Sequence, residues 1–187
     1  VPATAKEATA KERLNEGKVV GWHDRLMSDP SLLDSFMTKR GLTEDTLTKF
    51  QIGYDGERER FTVPIRDRDG NLVNVRRYRM GAAQGQKMQN ALGHGSPPRL
   101  FPITALPETG DVMVVEGELD ALICIQNGFA AVSGTGGARR WDDSWSKEFT
   151  GNDVYVMYDN DEDGRVGSKK AARSLAGPAA SVHVMDP

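Results

Sequence analysis

Cysteine is nearly absent: the 187 residues contain one, Cys124. That excludes a disulfide framework and any cysteine-rich zinc site within these residues, and it fits a reducing cytosol. Three histidines, His23, His94 and His183, lie scattered and lack the spacing of zinc ligands. No apolar run approaches the length of a membrane span, and no charged-then-apolar leader opens the chain. Internal repeats and low-complexity tracts are also missing. What remains is an ordinary composition with room for one large domain or two small ones. The chain starts at Val1 without Met and stops just after an apolar run, the expectation for a piece of a longer protein.

The net charge of −3 hides a split. Residues 1–108 hold seventeen Lys and Arg against fourteen Asp and Glu, and residues 109–187 hold seven against thirteen. Between Arg58 and Arg79 seven arginines face three acids. A basic half beside an acidic half suits phosphate binding next to a cation site, although plain surface charge gives the same composition.

Two short helices open the readable pattern. "SDPSLLDSFMTKRG" has Ser28 or Asp29 as cap, Pro30 in the first turn, Leu33, Phe36 and Met37 on one face, and Gly41 as stop. "LTEDTLTKFQIG" is capped by Thr43. The period then changes to two, and "RFTVPIRD" and "NLVNVRRYR" flank a hairpin turn at Asp69-Gly70. Residues 80–99 are Gly-rich and read as an irregular loop over a ligand. From about residue 110 strands alternate with helices: "DVMVV", "ELDALICIQN", "AAVS", a helical "RRWDDSWSKEF", "DVYVMY", a helix to about Ala176, and "SVHVM". Repeated βα units predict a mostly parallel sheet with helices on its faces. The fold class is therefore α/β, with residues 110–187 as a parallel-sheet domain and 1–109 as a preceding, basic α+β subdomain. Trp141 and Trp145, four apart, read as core or as one exposed face.

Ligands of open α/β sheets bind at the carboxyl ends of the strands. There the first three strands run into Glu116-Gly117, "SGTGG" and Asp159-Asn160-Asp161. Asp159 and Asp161 leave an extended backbone on the same side, and Asp120 lies one helical turn past Glu116. Four converging carboxylates repel one another unless a cation joins them, and hard oxygen donors select Mg²⁺, Mn²⁺ or Ca²⁺. "DNDEDGRVGSKK" also matches the first half of an EF-hand loop. Its twelfth position, however, is Lys170 instead of Glu, and a strand precedes it. The bland alternative is an acidic turn capping the next helix, with Asp163 as the cap. "SGTGG" lacks the Lys-Ser/Thr of a P-loop, so a tight turn competes with a phosphate cradle.

"VVEGELDAL", "SGTGG" and "VYVMYDNDEDGRVGSKKA" together resemble the Toprim domain of bacterial-type primases, topoisomerases and some nucleases. Upstream, "RGLTEDTLTKFQIGY", "FTVPIRDRDGNLVNVRRYRM" and "QKMQNALGHGSPPRLFPI" resemble the segment before Toprim in DnaG-like primases and phage primase–helicases. The resemblance implies a primase catalytic core that makes RNA primers on single-stranded DNA from ribonucleoside triphosphates, by two-metal nucleotidyl transfer with Mg²⁺ or Mn²⁺. It makes Glu116, Asp159 and Asp161 metal ligands and catalytic groups, with Asp120 at the edge of the site. Lys87 and Asn90 match the family's K-x-x-N, and Arg76, Arg77 and Arg79 its basic hairpin strand. Lys87 would be catalytic as well as nucleotide-binding, and the arginines and Asn90 would contact template or nucleotide. A replicative helicase in cis or in trans is the implied partner, with no membrane and a bacterial or phage-infected cytoplasm as the setting. The family's further acidic pair would lie beyond Pro187, and its zinc-binding and helicase domains outside these residues. The alternatives are a Toprim nuclease that activates water with the same metals, and a nucleic-acid-binding module without catalysis.

Overall fold

A computed structural model describes residues 12–83, 85–95 and 97–185. The polar, Ala/Lys/Glu-rich residues 1–18 read in sequence as a helical or frayed start, which falls largely on residues 1–11, outside the described residues. Helix α1 (Glu16–Met27) opens the described chain, capped by Asn15 through the Lys18 amide. The sequence pattern did not mark it. α2 (Pro30–Arg40) is capped by Asp29, and Gly41 ends it in the left-handed conformation. α3 (Glu44–Lys49) starts on Thr43, as the sequence predicts.

Four strands follow in an antiparallel sheet of order β1-β2-β3-β4: β1 (Gly53–Asp55), β2 (Arg60–Arg66), β3 (Leu72–Tyr78) and β4 (Met88–Asn90). β2 and β3 form the predicted hairpin, with Phe61 opposite Tyr78 and Val63 opposite Arg76. β4 corrects the sequence reading of residues 80–99. Part of that stretch is a strand, pairing Arg76 with Asn90 and Tyr78 with Met88. Its three residues alternate too briefly to register as a period in the sequence. Gln84 and Ser96 of the same stretch lie outside the described residues.

The second sheet has order β5-β7-β6-β8-β9, built from β5 (Leu100–Phe101), β6 (Gly110–Val115), β7 (Ala131–Gly134), β8 (Asn152–Met157) and β9 (Ser181–Val184). All its pairs are parallel except β5 with β7. α4 (Glu118–Gln126) follows β6 and α5 (Glu162–Leu175) follows β8. "RRWDDSWSKEF" forms two 3₁₀ segments, Ala138–Arg140 and Asp143–Phe149, in place of one α-helix. Trp141 is 3% exposed and packs edge-on against Trp145, so this pair belongs to the core and not to an exposed face.

Each face of the parallel sheet takes one phase of the strand alternation. Val112, Val114, Val132, Val154 and Val156 pack under α5 through Ala171 and Leu175. Val115 and Ala131 pack under α4 through Ala121. α4 also serves the other sheet: its Leu119 and Leu122 join Phe36, Leu47, Ile52, Phe61 and Val63 in a single cluster. Phe36 stacks on Phe61 with ring centroids 3.9 Å apart. Among the described residues, no helix is long and apolar enough to cross a membrane.

Candidate functional site

β6 and β8 run side by side in parallel, with Val115 opposite Met157, so the residues after them emerge together at one sheet edge. Glu116 leaves β6 there and receives the Asp159 amide on Oε2 at 3.2 Å. The turn into α4 depends on Gly117, where a Cβ would stand 2.6 Å from Asp120 Oδ2. The Asp120 carboxylate folds back over that glycine, whose backbone pulls its carboxyl down.

A cleft of about 220 Å³ opens over these residues, lined by Glu116, Asp120 and Asp159 and also by Arg40, Arg76 and Lys87. Burial raises the Glu116 carboxyl above its ordinary value, and the charges of Asp159, Asp161 and Asp120 push it further. Asp120 is exposed yet stands among enough protein atoms to lose part of its hydration. That desolvation raises its carboxyl first, and Asp159 adds to the rise while Arg40 opposes it. Burial, then the Glu116 charge, raises the Tyr158 hydroxyl beneath them. Such mutual repulsion is what a hard cation relieves.

Asp161 is brought near and also caps a helix. It is the N-cap of α5, its Oδ1 accepting the Gly164 amide at 2.7 Å. The acidic-turn reading was therefore right about a cap and wrong about its residue: Asp163 instead binds Arg139 at 2.6 Å. Gly164 makes the turn possible, since a Cβ there would overlap the Asp159 carbonyl oxygen. Among the described residues, no three Asp, Glu, His or Cys side chains stand ready as a closed ligand set. The four predicted ligands thus form a repelling cluster of Glu116, Asp120 and Asp159, with Asp161 capping beside it.

The predicted basic residues separate. Lys87 is exposed and lines the cleft. Its backbone is fixed by the Arg79 amide at 2.8 Å and by Arg60, which donates to the carbonyls of Gln86 and Lys87. Arg76 reaches the cleft but is held by Glu118 at 2.6 Å and by Asn90 at 3.2 Å, so Asn90 orients an arginine. Arg77 lies on the opposite face, as strand alternation requires. Its side chain is 2% exposed, bound to Glu12 at 2.7 Å and Asp55 at 3.0 Å, with Trp22 under the guanidinium. It is enclosed in protein and does not line a groove. Arg79 bonds the Arg58 carbonyl at the surface. The acids that hold this arginine run come from outside the hairpin turn; Asp67 and Asp69 take no part in it.

"SGTGG" is a turn. The Thr135 amide donates to Arg99 O and the Gly136 amide to Gly134 O, leaving neither for a phosphate. Sequence reasoning missed Arg40, which lies 4.4 Å over the Tyr78 ring at the cleft wall. As the last residue of α2, it carried no signal beyond its proximity to the Gly41 stop.

Residues 113–186 match a family model described as Toprim-like. Over these residues the chain resembles a Toprim-like domain. No curated protein matches the chain in sequence. Among solved structures, the zinc-binding and RNA polymerase domains of the Aquifex aeolicus primase share 20% identity at a TM-score of 0.72, covering 90% of this chain and 52% of that one. The primase fragment of the bacteriophage T7 primase–helicase shares 25% at 0.66, covering 80% and 62%. A DnaG primase catalytic domain bound to single-stranded DNA shares 20% at 0.69, covering 92% and 69%. The chain thus spans between about half and two thirds of these structures, and its fold is that of a primase catalytic core. The parallel-sheet part of the chain supplies the carboxylates of the cleft, and Lys87 directly precedes the last strand of the antiparallel sheet.

Proposed function

We propose that the chain is the catalytic core of a DNA primase, joining ribonucleotides on a single-stranded DNA template. The observation that carries this is the cleft where Glu116, Asp120 and Asp159 face Lys87 and Arg40, in a chain with the primase-core fold. Anionic oxygens and cations lining one cleft suit a metal-bound triphosphate, whose metal and phosphates they can share.

Glu116 and Asp159 would hold Mg²⁺ or Mn²⁺, with Asp120 and the remaining Asp161 oxygen at the rim. The donor set fits: all are hard oxygens, and their repulsion falls when a dication binds. Bound there, the metal would activate a 3′-hydroxyl and stabilise the pyrophosphate that leaves. Lys87 and Arg40 would pair with the phosphates of the incoming nucleotide and keep it in line with that hydroxyl. Arg60 keeps Lys87 in place by anchoring its peptide carbonyl. The DnaG domain captured with single-stranded DNA supports the template assignment. A relative joined to a helicase supports a replicative helicase as partner, in the cytoplasm of a bacterial or phage-infected cell.

The test is incubation with single-stranded template and labelled ribonucleotides, with and without Mg²⁺ or Mn²⁺. Metal-dependent extension, lost in Asp159→Asn and reduced in Lys87→Ala, is the expected result. Shortened template would establish a nuclease, and retention of DNA without extension a binding module; either would overturn the proposal.

A further inference from the structure

We infer that Glu118, the second acid of "EGELD", is a positioning residue that holds β3 and β4 against the carboxylate cleft and is not a cation ligand. The inference rests on the reading of that cleft as the nucleotide site. Glu118 stands two residues from Glu116 and borders the same cleft, so a role as one more ligand is the alternative to be tested. Its side chain, however, is 6% exposed, and its Oε1 accepts from Arg76 Nε at 2.6 Å.

Arg76 extends the link. Its Nη1 donates to Asn90 Oδ1 at 3.2 Å, and the same oxygen accepts from Asn74 Nδ2 at 3.0 Å. Arg76 and Asn90 are also partners in the β3–β4 ladder. A continuous polar chain therefore runs from the first turn of α4, across β3, to the end of β4. Lys87 directly precedes β4, a three-residue edge strand with little hold of its own. The far end of α4 carries a matching link: Gln126 accepts from the Thr43 amide at 2.7 Å and donates to Gly41 O at 2.9 Å. α4 is thus pinned to the antiparallel sheet near the cleft and to the α2–α3 turn away from it.

A buried guanidinium needs its carboxylate. Without Glu118, Arg76 loses the partner that fixes its direction, and β4 loses its tie to the wall that carries Glu116 and Asp120. Glutamine at 118 keeps an oxygen for Arg76 Nε–H but is a poor ligand for a hard dication.

The experiment follows amide exchange at Met88–Asn90, Mn²⁺ affinity without nucleotide, and ATP affinity with Mn²⁺. Glu118→Ala should speed exchange in β4 by about tenfold or more and weaken ATP by a comparable factor. Glu118→Gln should leave Mn²⁺ affinity within about twofold of wild type, whereas Glu116→Gln lowers it by more than about fivefold. Should Glu118→Ala not fold, Arg76→Lys carries the exchange measurement, because it keeps the charge and loses the fork that reaches both Glu118 and Asn90. Unchanged β4 exchange overturns the positioning role, and a Glu118→Gln loss of Mn²⁺ as large as that of Glu116→Gln makes Glu118 a ligand. If wild type binds no ATP, the nucleotide reading of the cleft fails, while exchange and Mn²⁺ still decide the role of Glu118.

Discussion

Replacing Arg77 with alanine removes a guanidinium wedged between two carboxylates, at Glu12 and Asp55, whose side chains are 5% and 1% exposed. Removing one partner of a buried ion pair costs about 3–5 kcal/mol, because the other charge stays behind unpaired. Here the orphaned acids keep some help: Arg58 stands 3.1 Å from Asp55 and Lys18 3.6 Å from Glu12. That pulls the expectation toward the lower end, and the lost Trp22 contact adds back about 0.5–1 kcal/mol. Arg77→Ala should therefore lose about 3–4 kcal/mol, or roughly 10 °C in Tm for a chain of this size. The loss also depends on pH. Burial pushes the Glu12 carboxyl up, but Arg77, Arg58 and the Leu92 amide outweigh it, and the group sits below its ordinary value. A depressed carboxyl contributes stability above its unfolded pKa and loses it as pH falls through the folded one. The gap between wild type and Arg77→Ala should therefore be widest at neutral pH and close in acid. Urea unfolding followed by tryptophan fluorescence at several pH values measures it. A variant that melts within about 1 °C of wild type yet binds single-stranded DNA more weakly at every salt concentration would refute the reasoning and return Arg77 to the template.

Glu116→Gln should unfold less readily than wild type at neutral pH without metal. The raised carboxyl contributes stability only below its unfolded pKa and loses it as pH rises through the folded one. The advantage should vanish in acid, and Mg²⁺ should raise the Tm of wild type more than that of the variant. Asp161→Ala should lose about 1 kcal/mol of stability through the α5 cap, while Asp161→Asn, an equally good cap, should lose almost none. Equal melting of the two would show that the cap contributes nothing. Gly164→Ala should lose about 1–3 kcal/mol and weaken Mn²⁺ binding, because the new Cβ displaces the Asp159 carbonyl; unchanged affinity would show that Asp159 tolerates the shift.

Much of the fold was legible because it rests on local rules. Unbroken apolar runs in "DVMVV" and "DVYVMY", the Thr43 cap and the Gly41 stop each encode an element without distant partners. α1 was not legible: buried Val19 and Leu26 are too few to set a helical period. β4 and β5 escaped as well, since strands of three and two residues are made by their neighbours' hydrogen bonds and not by their own pattern.

The sequence by itself determined which acids meet. Glu116 and Asp159 follow strands that must lie parallel, and a parallel sheet brings strand ends to one edge whatever the surroundings. It also determined that Arg76 and Arg77 point to opposite faces, because side chains in a strand alternate. It did not determine what each face meets. Glu118 and Asn90 take Arg76 at the cleft, while Glu12 and Asp55 enclose Arg77 in the interior. Those acids lie up to 65 residues away in sequence. Charge pairing at such distances depends on how α1, the hairpin and α4 pack together. No local spacing records that packing, so only the tertiary structure could separate an arginine at the site from one that holds the fold.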